Sequence, residues 1–244
     1  RVYEIGHDFR NEGMDRTHNP EFTMLECYQA YADYRDMMEL TEAMISGLVE
    51  HCCGTLRLER GGQVLDFTPP WPRVSFVEGV RLRSGLDVCE APDAAMRERL
   101  VRSGVSAEEA ATFSGGKLQD EMFKAFLEPE LVQPTFVVDY PLALSPLAKP
   151  HRADARLTER FELFVLGHEL ANAYSECRVG SSPTRSASST TRTTSGAGSR
   201  TRRGSARRAT TRRSSTTPTS SGRSSTGCRR PGGSESAWIA CSWC

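Results

Sequence analysis

The stretch that decides the fold is R-N-E-G at residues 10–13 followed by H-N-P-E-F-T-M-L-E-C-Y-Q-A-Y-A-D-Y at residues 18–34. Residues 1–9 and 22–34 are rich in side chains that favour strands, and the polar segment between them contains Gly13 and Pro20. This pattern predicts two strands joined by a loop. The hairpin would bring together groups able to bind phosphate, stack on a base and bind an ammonium, which favours an ATP-using enzyme.

Strand geometry gives this hairpin its chemistry. Side chains two positions apart share a face, so Phe22, Met24, Glu26 and Tyr28 should point the same way. A carboxylate placed between aromatic rings is costly to bury alone, so Glu26 is expected to meet a cation.

A second candidate hairpin repeats the pattern. Asn172, Tyr174 and Glu176 would share one face, with Glu162 and Glu169 nearby in sequence. Two carboxylate groups around one pocket could bind a primary ammonium and a hard cation such as Mg²⁺. The alternative, open for each glutamate taken singly, is an ordinary surface ion pair.

The rest of the chain predicts helices around these strands. Apolar residues from 37 to 49 recur at helical spacing before Gly54, which predicts a helix. Residues 55–68 indicate a hairpin that turns at 61–62, and residues 91–127 indicate a helical insert. Further strands are expected at 136–138, 160–165 and 169–176. Strand pairs followed by helices predict an α+β fold, an antiparallel sheet flanked by helices.

Composition divides the chain into two parts. Residues 177–244 hold 13 Arg, no Lys and one acidic residue, whereas residues 1–176 hold 18 basic and 30 acidic residues. The second part has 17 Ser and 12 Thr but few aliphatic residues, so it is expected to be a disordered low-complexity tail beside one folded unit. Neither a membrane span nor a signal peptide is predicted, which favours a soluble, cytoplasmic protein. The four cysteines before residue 177 show no C-x-x-C spacing, so neither zinc nor disulfides are expected there.

At this point the motifs become recognisable. F-R-N-E-G at 9–13, residues 18–34 and D-M-M-E-L-T-E at 36–42 closely resemble motif 2 of class II lysyl-tRNA synthetases. The similarity continues through Q-P-T-F at 133–136, Y-P at 140–141, S-P-L-A at 145–148, R-F-E-L-F at 160–164 and E-L-A-N-A-Y-S-E at 169–176. The resemblance implies that residues 1–176 are part of a class II catalytic domain with its antiparallel sheet.

The resemblance also implies roles for individual residues. Arg10 would hold the ATP α-phosphate and the amino-acid carboxylate as the catalytic arginine. The remaining ATP contacts would be Glu12, His18, Asn19 and Phe22. The lysine pocket would be formed by Glu26, Tyr28, Asn172, Tyr174 and Glu176. The ligands of Mg²⁺ would be Glu162 and Glu169. The implied partners are ATP, L-lysine and tRNA(Lys), with a homodimer in the intact family member.

Substrate choice can be weighed within the class. An anionic pair, Glu26 and Glu176, favours a lysine ammonium over the carboxylate or amide of the aspartyl and asparaginyl relatives. A lysyl-transferring paralogue that modifies a translation factor shares this pocket, but A-Y-A-D-Y at 30–34 is more similar to the tRNA enzyme. A non-catalytic RNA-binding fragment acting through its basic tail is the other alternative.

The tail itself can be interpreted as an out-of-frame translation. The codons of residues 225–244, regrouped one base earlier, permit Y-G-M-P-P-T-G-G-L-G-I-G-M-D-R-L-F-M-V, which resembles the lysyl form of motif 3. The aspartate in that sequence is forced by Trp238-Ile239. The chain as printed is therefore expected to lack the motif 3 arginine, and motif 1 and the anticodon-binding domain as well, and to be inactive alone.

Overall fold

The protein was analysed as a computed structural model, which describes residues 1–11, 13–14 and 18–176 and the backbone of residues 236–243. The chain order is β1 (Val2–Phe9), β2 (Glu21–Ala30), α1 (Tyr34–Cys53), β3 (Arg57–Arg60), β4 (Gln63–Asp66), β5 (Arg73–Ser75), α2 (Phe76–Ser84), α3 (Asp93–Arg102), α4 (Ala107–Thr112), α5 (Gly115–Phe126), β6 (Thr135–Val138), β7 (Arg160–Val165), β8 (His168–Ser175) and β9 (Ser236–Trp243). Short 3₁₀ turns span Glu128–Glu130 and Leu142–Leu144. No helix among the described residues is long and apolar enough to cross a membrane.

The main sheet has seven strands in the order β1-β2-β9-β8-β7-β6-β5. Each neighbouring pair is antiparallel except β5 and β6, which run parallel. Strands β3 and β4 form a separate hairpin. The predicted α+β fold with an antiparallel sheet flanked by helices is confirmed.

The sheet separates two hydrophobic clusters. Phe136, Phe161 and Leu163 pack with α1 and the β3–β4 hairpin. Val137 and Phe164, one position along their strands, pack instead with α2, α3 and α5. Since alternate residues of a strand face opposite sides, the helices must cover both faces of this end of the sheet.

Three residues separate the end of β2 from the start of helix α1. The chain turns at Tyr31, whose φ is 59°, and Asp33 then caps the helix by accepting from the backbone N–H of Arg35 at 2.9 Å. Asp36 completes a capping box by accepting from the Asp33 N–H at 2.7 Å. The prediction of a strand through residue 34 was therefore four residues too long, because the capping residues end the strand.

The strand β9 differs from the expectation that all of residues 177–244 lack a stable fold. Its backbone pairs with β2 from Thr23↔Trp243 to Ala30↔Ser236, and with β8 from Asn172↔Ala240 to Ser175↔Ala237. Apolar residues dominate this short segment, and a strand here satisfies backbone groups on two neighbours at once. Residues 177–235 lie outside the described residues, so the prediction of disorder there, and with it the proposed division at residue 176, stays a prediction.

Candidate active site

The loop between β1 and β2 carries the predicted ATP contacts. Its ends are joined by a hydrogen bond from the Arg10 N–H to the Pro20 carbonyl at 2.9 Å. The Arg10 guanidinium lies over the Phe22 ring, 5.1 Å from its centroid. His18 and Asn19 are exposed on the same loop, and Glu12 lies outside the described residues. The predicted phosphate-binding and base-stacking side chains are thus in direct contact with each other.

The structure bears out the predicted side-chain alternation on β2. Leu25 and Cys27 pack against the α1 side of the sheet. The alternate positions, which carry Phe22, Glu26 and Tyr28, therefore belong to the opposite face. Hydrogen-bonded pairing places Glu26 beside Ala240, Ala240 beside Asn172, and Asn172 beside Glu162 in one row across four strands. With strands about 4.8 Å apart, Glu26 and Asn172 are separated by about 10 Å, the width of one intervening strand.

The next row towards the end of β8 holds the aromatic part of the predicted lysine pocket. Tyr28 pairs with Trp238 and Trp238 with Tyr174. Partial burial raises the pKa of the Tyr174 hydroxyl, and the charges of Glu176 and Tyr28 raise it further. Glu176, the residue directly after β8, is exposed and forms an isolated bridge with Ala148. Tyr28 and Glu176 therefore both lie within electrostatic range of Tyr174, whereas Glu26 and Glu176 are on opposite sides of β9.

A β-bulge brings the two predicted metal ligands to one face. Leu163 pairs with Ala171, but Phe164 pairs with Glu169, so Leu170 has no partner on β7. Glu169 is three residues from Asn172, and in a regular strand the two would face opposite sides. The extra residue restores Glu169 to the face of Asn172, which is close enough to lower the pKa of the Glu169 carboxyl.

The two carboxylates differ in their surroundings. Glu162 is 8% exposed and accepts a hydrogen bond from the Tyr140 hydroxyl at 2.7 Å. Burial raises its pKa, while the charge of Arg160 opposes that rise. Glu169 is an exposed residue, yet desolvation by the protein atoms around its carboxyl, and after it the negative charge of Glu162, raises the pKa of Glu169 to about 7. Arg10 is close enough to lower that pKa, which connects the β1–β2 loop to this carboxylate.

The donor set suits Mg²⁺ shared with a phosphate ligand. Mg²⁺ is usually bound through one or two carboxylates together with substrate phosphates. Glu162 and Glu169 supply two such carboxylates on one face. Among the described residues, no group of three or more His, Cys, Asp or Glu side chains could hold a metal without further ligands. Two carboxylates on one face are a donor set of the kind that Mg²⁺ shares with the phosphates of a nucleotide.

Two residues of this site were not among the predicted ones. Arg160 pairs with Glu162 and donates to Asn172, and Tyr140 donates to Glu162. The sequence did carry a signal for Arg160, because it stands two residues before Glu162 on the same strand and so shares its face. Tyr140 comes from a turn after β6, where no strand periodicity applies.

Comparison with known proteins agrees with this arrangement. Residues 1–188 match the family tRNA synthetases class II (D, K and N). The chain therefore belongs to the class II tRNA synthetases, a family of ligases.

Within that family the chain is similar to lysine-tRNA ligases, which confirms the resemblance found in its motifs. It is 49% identical over 176 residues to the lysine-tRNA ligase of Thermotoga maritima, covering 72% of this chain and 34% of that protein. It is 49% identical over 177 residues to the lysine-tRNA ligase of Pelotomaculum thermopropionicum, and 50% over 177 residues to that of Prochlorococcus marinus, each covering 72% of this chain and 35% of the relative. The chain thus spans about a third of the length of the relatives that it matches.

Proposed function

We propose that this chain carries the ATP- and lysine-binding part of a lysine-tRNA ligase. One observation supports this more than any other. Strand pairing places Glu26, Asn172 and Glu162 in one row, on the sheet face that also carries Phe22, and Arg10 covers the Phe22 ring. The cation expected to bind the α-phosphate and the carboxylates expected to bind Mg²⁺ therefore converge on one face of the sheet.

The proposed reaction has two steps. A carboxylate oxygen of lysine attacks the α-phosphorus of ATP, the bond to the β-phosphate oxygen breaks, and pyrophosphate leaves. A terminal hydroxyl of tRNA(Lys) then attacks the carbonyl carbon of the lysyl-adenylate, and AMP leaves. No protein nucleophile is required, so the contribution of the chain is to position the reactants and neutralise charge.

Arg10 and Phe22 would bind the nucleotide. The guanidinium would form charge-assisted hydrogen bonds with the α-phosphate, where negative charge increases during the attack. The Phe22 ring would stack on adenine, and Glu12, His18 and Asn19 would complete the ATP contacts. In the structure Arg10 covers the Phe22 ring, so nucleotide binding would exchange one cation–ring contact for a base–ring contact.

The lysine would lie between β2 and β8. Glu26 and Glu176 would pair with its ammonium from the two sides of β9, Tyr28 and Tyr174 would line its methylene chain, and Asn172 would approach its carboxylate. An anionic pair disfavours the carboxylate of aspartate, so this pocket selects by charge. When bound, Mg²⁺ would neutralise the ATP phosphates, with Glu162 and Glu169 as its protein ligands.

The names of the relatives support the tRNA enzyme over the paralogue that modifies a translation factor. Homodimerisation and action on tRNA are proposed only for a chain that has the full length of these relatives. The RNA-binding alternative concerns the basic tail, most of which lies outside the described residues.

A binding experiment tests the proposal on the chain as it is. Titration with Mg²⁺ and β,γ-imido-ATP should give saturable binding that Arg10→Gln weakens. Losing a hydrogen bond to a charged group typically costs about 1.5 to 3 kcal/mol of binding free energy, so the dissociation constant of the nucleotide should rise by about 10- to 150-fold. Arg60→Gln, at the exposed end of β3, is the matched control and should change nothing. Equal affinity of the two variants would refute the assignment of Arg10.

A further inference from the structure

The guanidinium of Arg160 is the centre of a hydrogen-bond network on the site face. Its Nε donates to Asn172 Oδ1 at 3.2 Å. One terminal nitrogen donates to the Ser145 hydroxyl at 2.8 Å and to the Leu144 carbonyl at 3.1 Å. The other terminal nitrogen forms the ion pair with Glu162 Oε1. A planar group with five N–H donors is required to reach four acceptors on three segments of the chain at once.

Tyr140 completes this network from the opposite side of Glu162. Its ring lies 4.7 Å from the Arg160 guanidinium carbon, and its hydroxyl donates to Glu162 Oε2 at 2.7 Å. The ring is itself 3% exposed and packs on Phe76 with centroids 4.9 Å apart. Because Tyr140 is fixed in the core, both oxygens of Glu162 are fixed relative to the sheet.

The hydrogen bonds leave Glu162 little freedom to accept more. An ionised carboxylate has about four lone-pair positions, two on each oxygen. Oε1 accepts from Arg160 and has a longer contact from the Asn172 amide at 3.4 Å. Oε2 accepts from Tyr140, which leaves one open position on that oxygen.

We propose that Arg160 is a positioning residue that restricts Glu162 to a one-oxygen contact with a divalent cation, through Oε2. This inference rests on the proposed nucleotide and Mg²⁺ site, and it adds the residue that sets how one ligand is presented. Glu169, exposed on the neighbouring strand β8, is the second carboxylate of the proposed site. A lysine side chain at position 160 has a compact ammonium group, which could pair with Glu162 but could not also donate to Asn172, Ser145 and the Leu144 carbonyl.

The alternative is that Arg160 only stabilises the fold. The two roles make different predictions, because a residue that supports the fold alone should affect nucleotide binding equally with and without metal. A residue that positions a metal ligand should affect only the metal-dependent part.

The test measures binding of β,γ-imido-ATP to the whole chain with Mn²⁺ and again with EDTA. For Arg160→Lys, and for Arg160→Gln as a second variant, affinity with Mn²⁺ should fall by about 10- to 100-fold, the usual effect of removing a partner of a metal ligand. Affinity in EDTA should stay the same. Arg83→Lys is the matched control, since Arg83 is also partly buried and pairs with both a carboxylate, Glu130, and a backbone carbonyl, that of Gly79. It should change neither value.

The outcomes separate this inference from the function it rests on. If Mn²⁺ does not tighten nucleotide binding to the unmodified chain, the proposed metal site is wrong, and the role of Arg160 is wrong with it. If Mn²⁺ tightens binding but the Arg160 variants lose affinity equally in EDTA, or lose none, only the present inference is overturned. A crystal structure with Mn²⁺ and the nucleotide in which both Glu162 oxygens contact the metal would also overturn it.

Discussion

The buried carboxylate of Glu159 is expected to make Arg152 the most sensitive arginine of the folded part outside the site. Glu159 has no exposed surface, and its Oε1 accepts from Arg152 Nε at 2.6 Å. Arg152 also donates to Asp33, the capping residue of α1, at 2.8 Å. The remaining cation near Glu159 is Lys149, whose Nζ lies 3.6 Å from Oε2. Arg152→Ala should therefore leave a buried carboxylate without its short ion pair, with Lys149 and the Ser175 hydroxyl as its remaining partners.

Three effects determine how much stability that substitution should cost. Removing one partner of a buried ion pair typically costs about 3 to 5 kcal/mol. The Glu159 carboxyl can take up a proton instead, which limits the cost at pH 7 to about 3.5 kcal/mol for a group with an ordinary pKa. Lys149 remains, and the Arg152 side chain is 46% exposed, so solvent screens part of the pair. We expect a loss of about 2 to 3 kcal/mol in the free energy of unfolding, measured with urea.

The pH dependence identifies the cause. Burial of Glu159 opposes its ionisation, but hydrogen bonds from Arg152 and Ser175 and the charge of Lys149 outweigh burial and lower its pKa. A lowered carboxyl pKa contributes stability that is present above the unfolded-state pKa and lost as pH falls through the folded-state pKa. The difference between Arg152→Ala and the unmodified chain should thus be largest near pH 7 and shrink towards pH 4. Arg81→Ala is the control, because its pair with Glu78 is exposed on both sides, and no change should be resolved. A loss that equals the control, or one that does not depend on pH, would refute the reasoning.

The other predictions concern ligands and the tail. Glu26→Gln should weaken lysine binding by about 1.5 to 3.5 orders of magnitude, because losing one partner of a desolvated charge pair costs about 2 to 5 kcal/mol, whereas nucleotide affinity should change far less. Glu4→Gln, at the exposed partner position on β1, is the control, and equal loss for lysine and nucleotide would remove Glu26 from the pocket. The chain as printed should show little or no lysine-dependent ATP–pyrophosphate exchange. A variant with the frame corrected after residue 176 and an upstream half added from a relative should recover it, and robust exchange by this chain alone would contradict that view. Amides of residues 177–235 should exchange with solvent much faster than those of β2, and comparable protection measured by NMR or mass spectrometry would show that the tail folds.

Period-2 alternation was enough to place Phe22, Glu26 and Tyr28 on one face, because a strand with one face on a core has little freedom of register. The same reasoning fails for Glu169, which shares a face with Asn172 only because of the bulge at Leu170. A bulge leaves no periodic signal, so motif resemblance rather than alternation located this residue. The hydrogen bonds of Arg160 depend on the path of the loop at residues 144–145, which is set by tertiary packing.

Helix α2 was missed for a different reason. It is nine residues long and has Gly79 at its centre, which lowers its helix propensity. The structure explains the glycine, because an added Cβ would lie 2.6 Å from Leu127 Cδ2. Close packing against the helical insert therefore requires the residue that obscured the helix in the sequence.

The position of β9 connects the frame argument to the geometry of the site. Without β9 the described strands would form two separate groups, β1-β2 and β8-β7-β6-β5. In the shifted frame, the last base of the Ile239 codon and the first two bases of the Ala240 codon permit the arginine of the motif 3-like sequence. Ala240 stands in the row between Glu26 and Asn172. If the tail is an out-of-frame translation, the shift would replace an arginine by apolar residues at the strand position between the two halves of the proposed site. The printed chain would then be expected to bind ATP more weakly than a frame-corrected one.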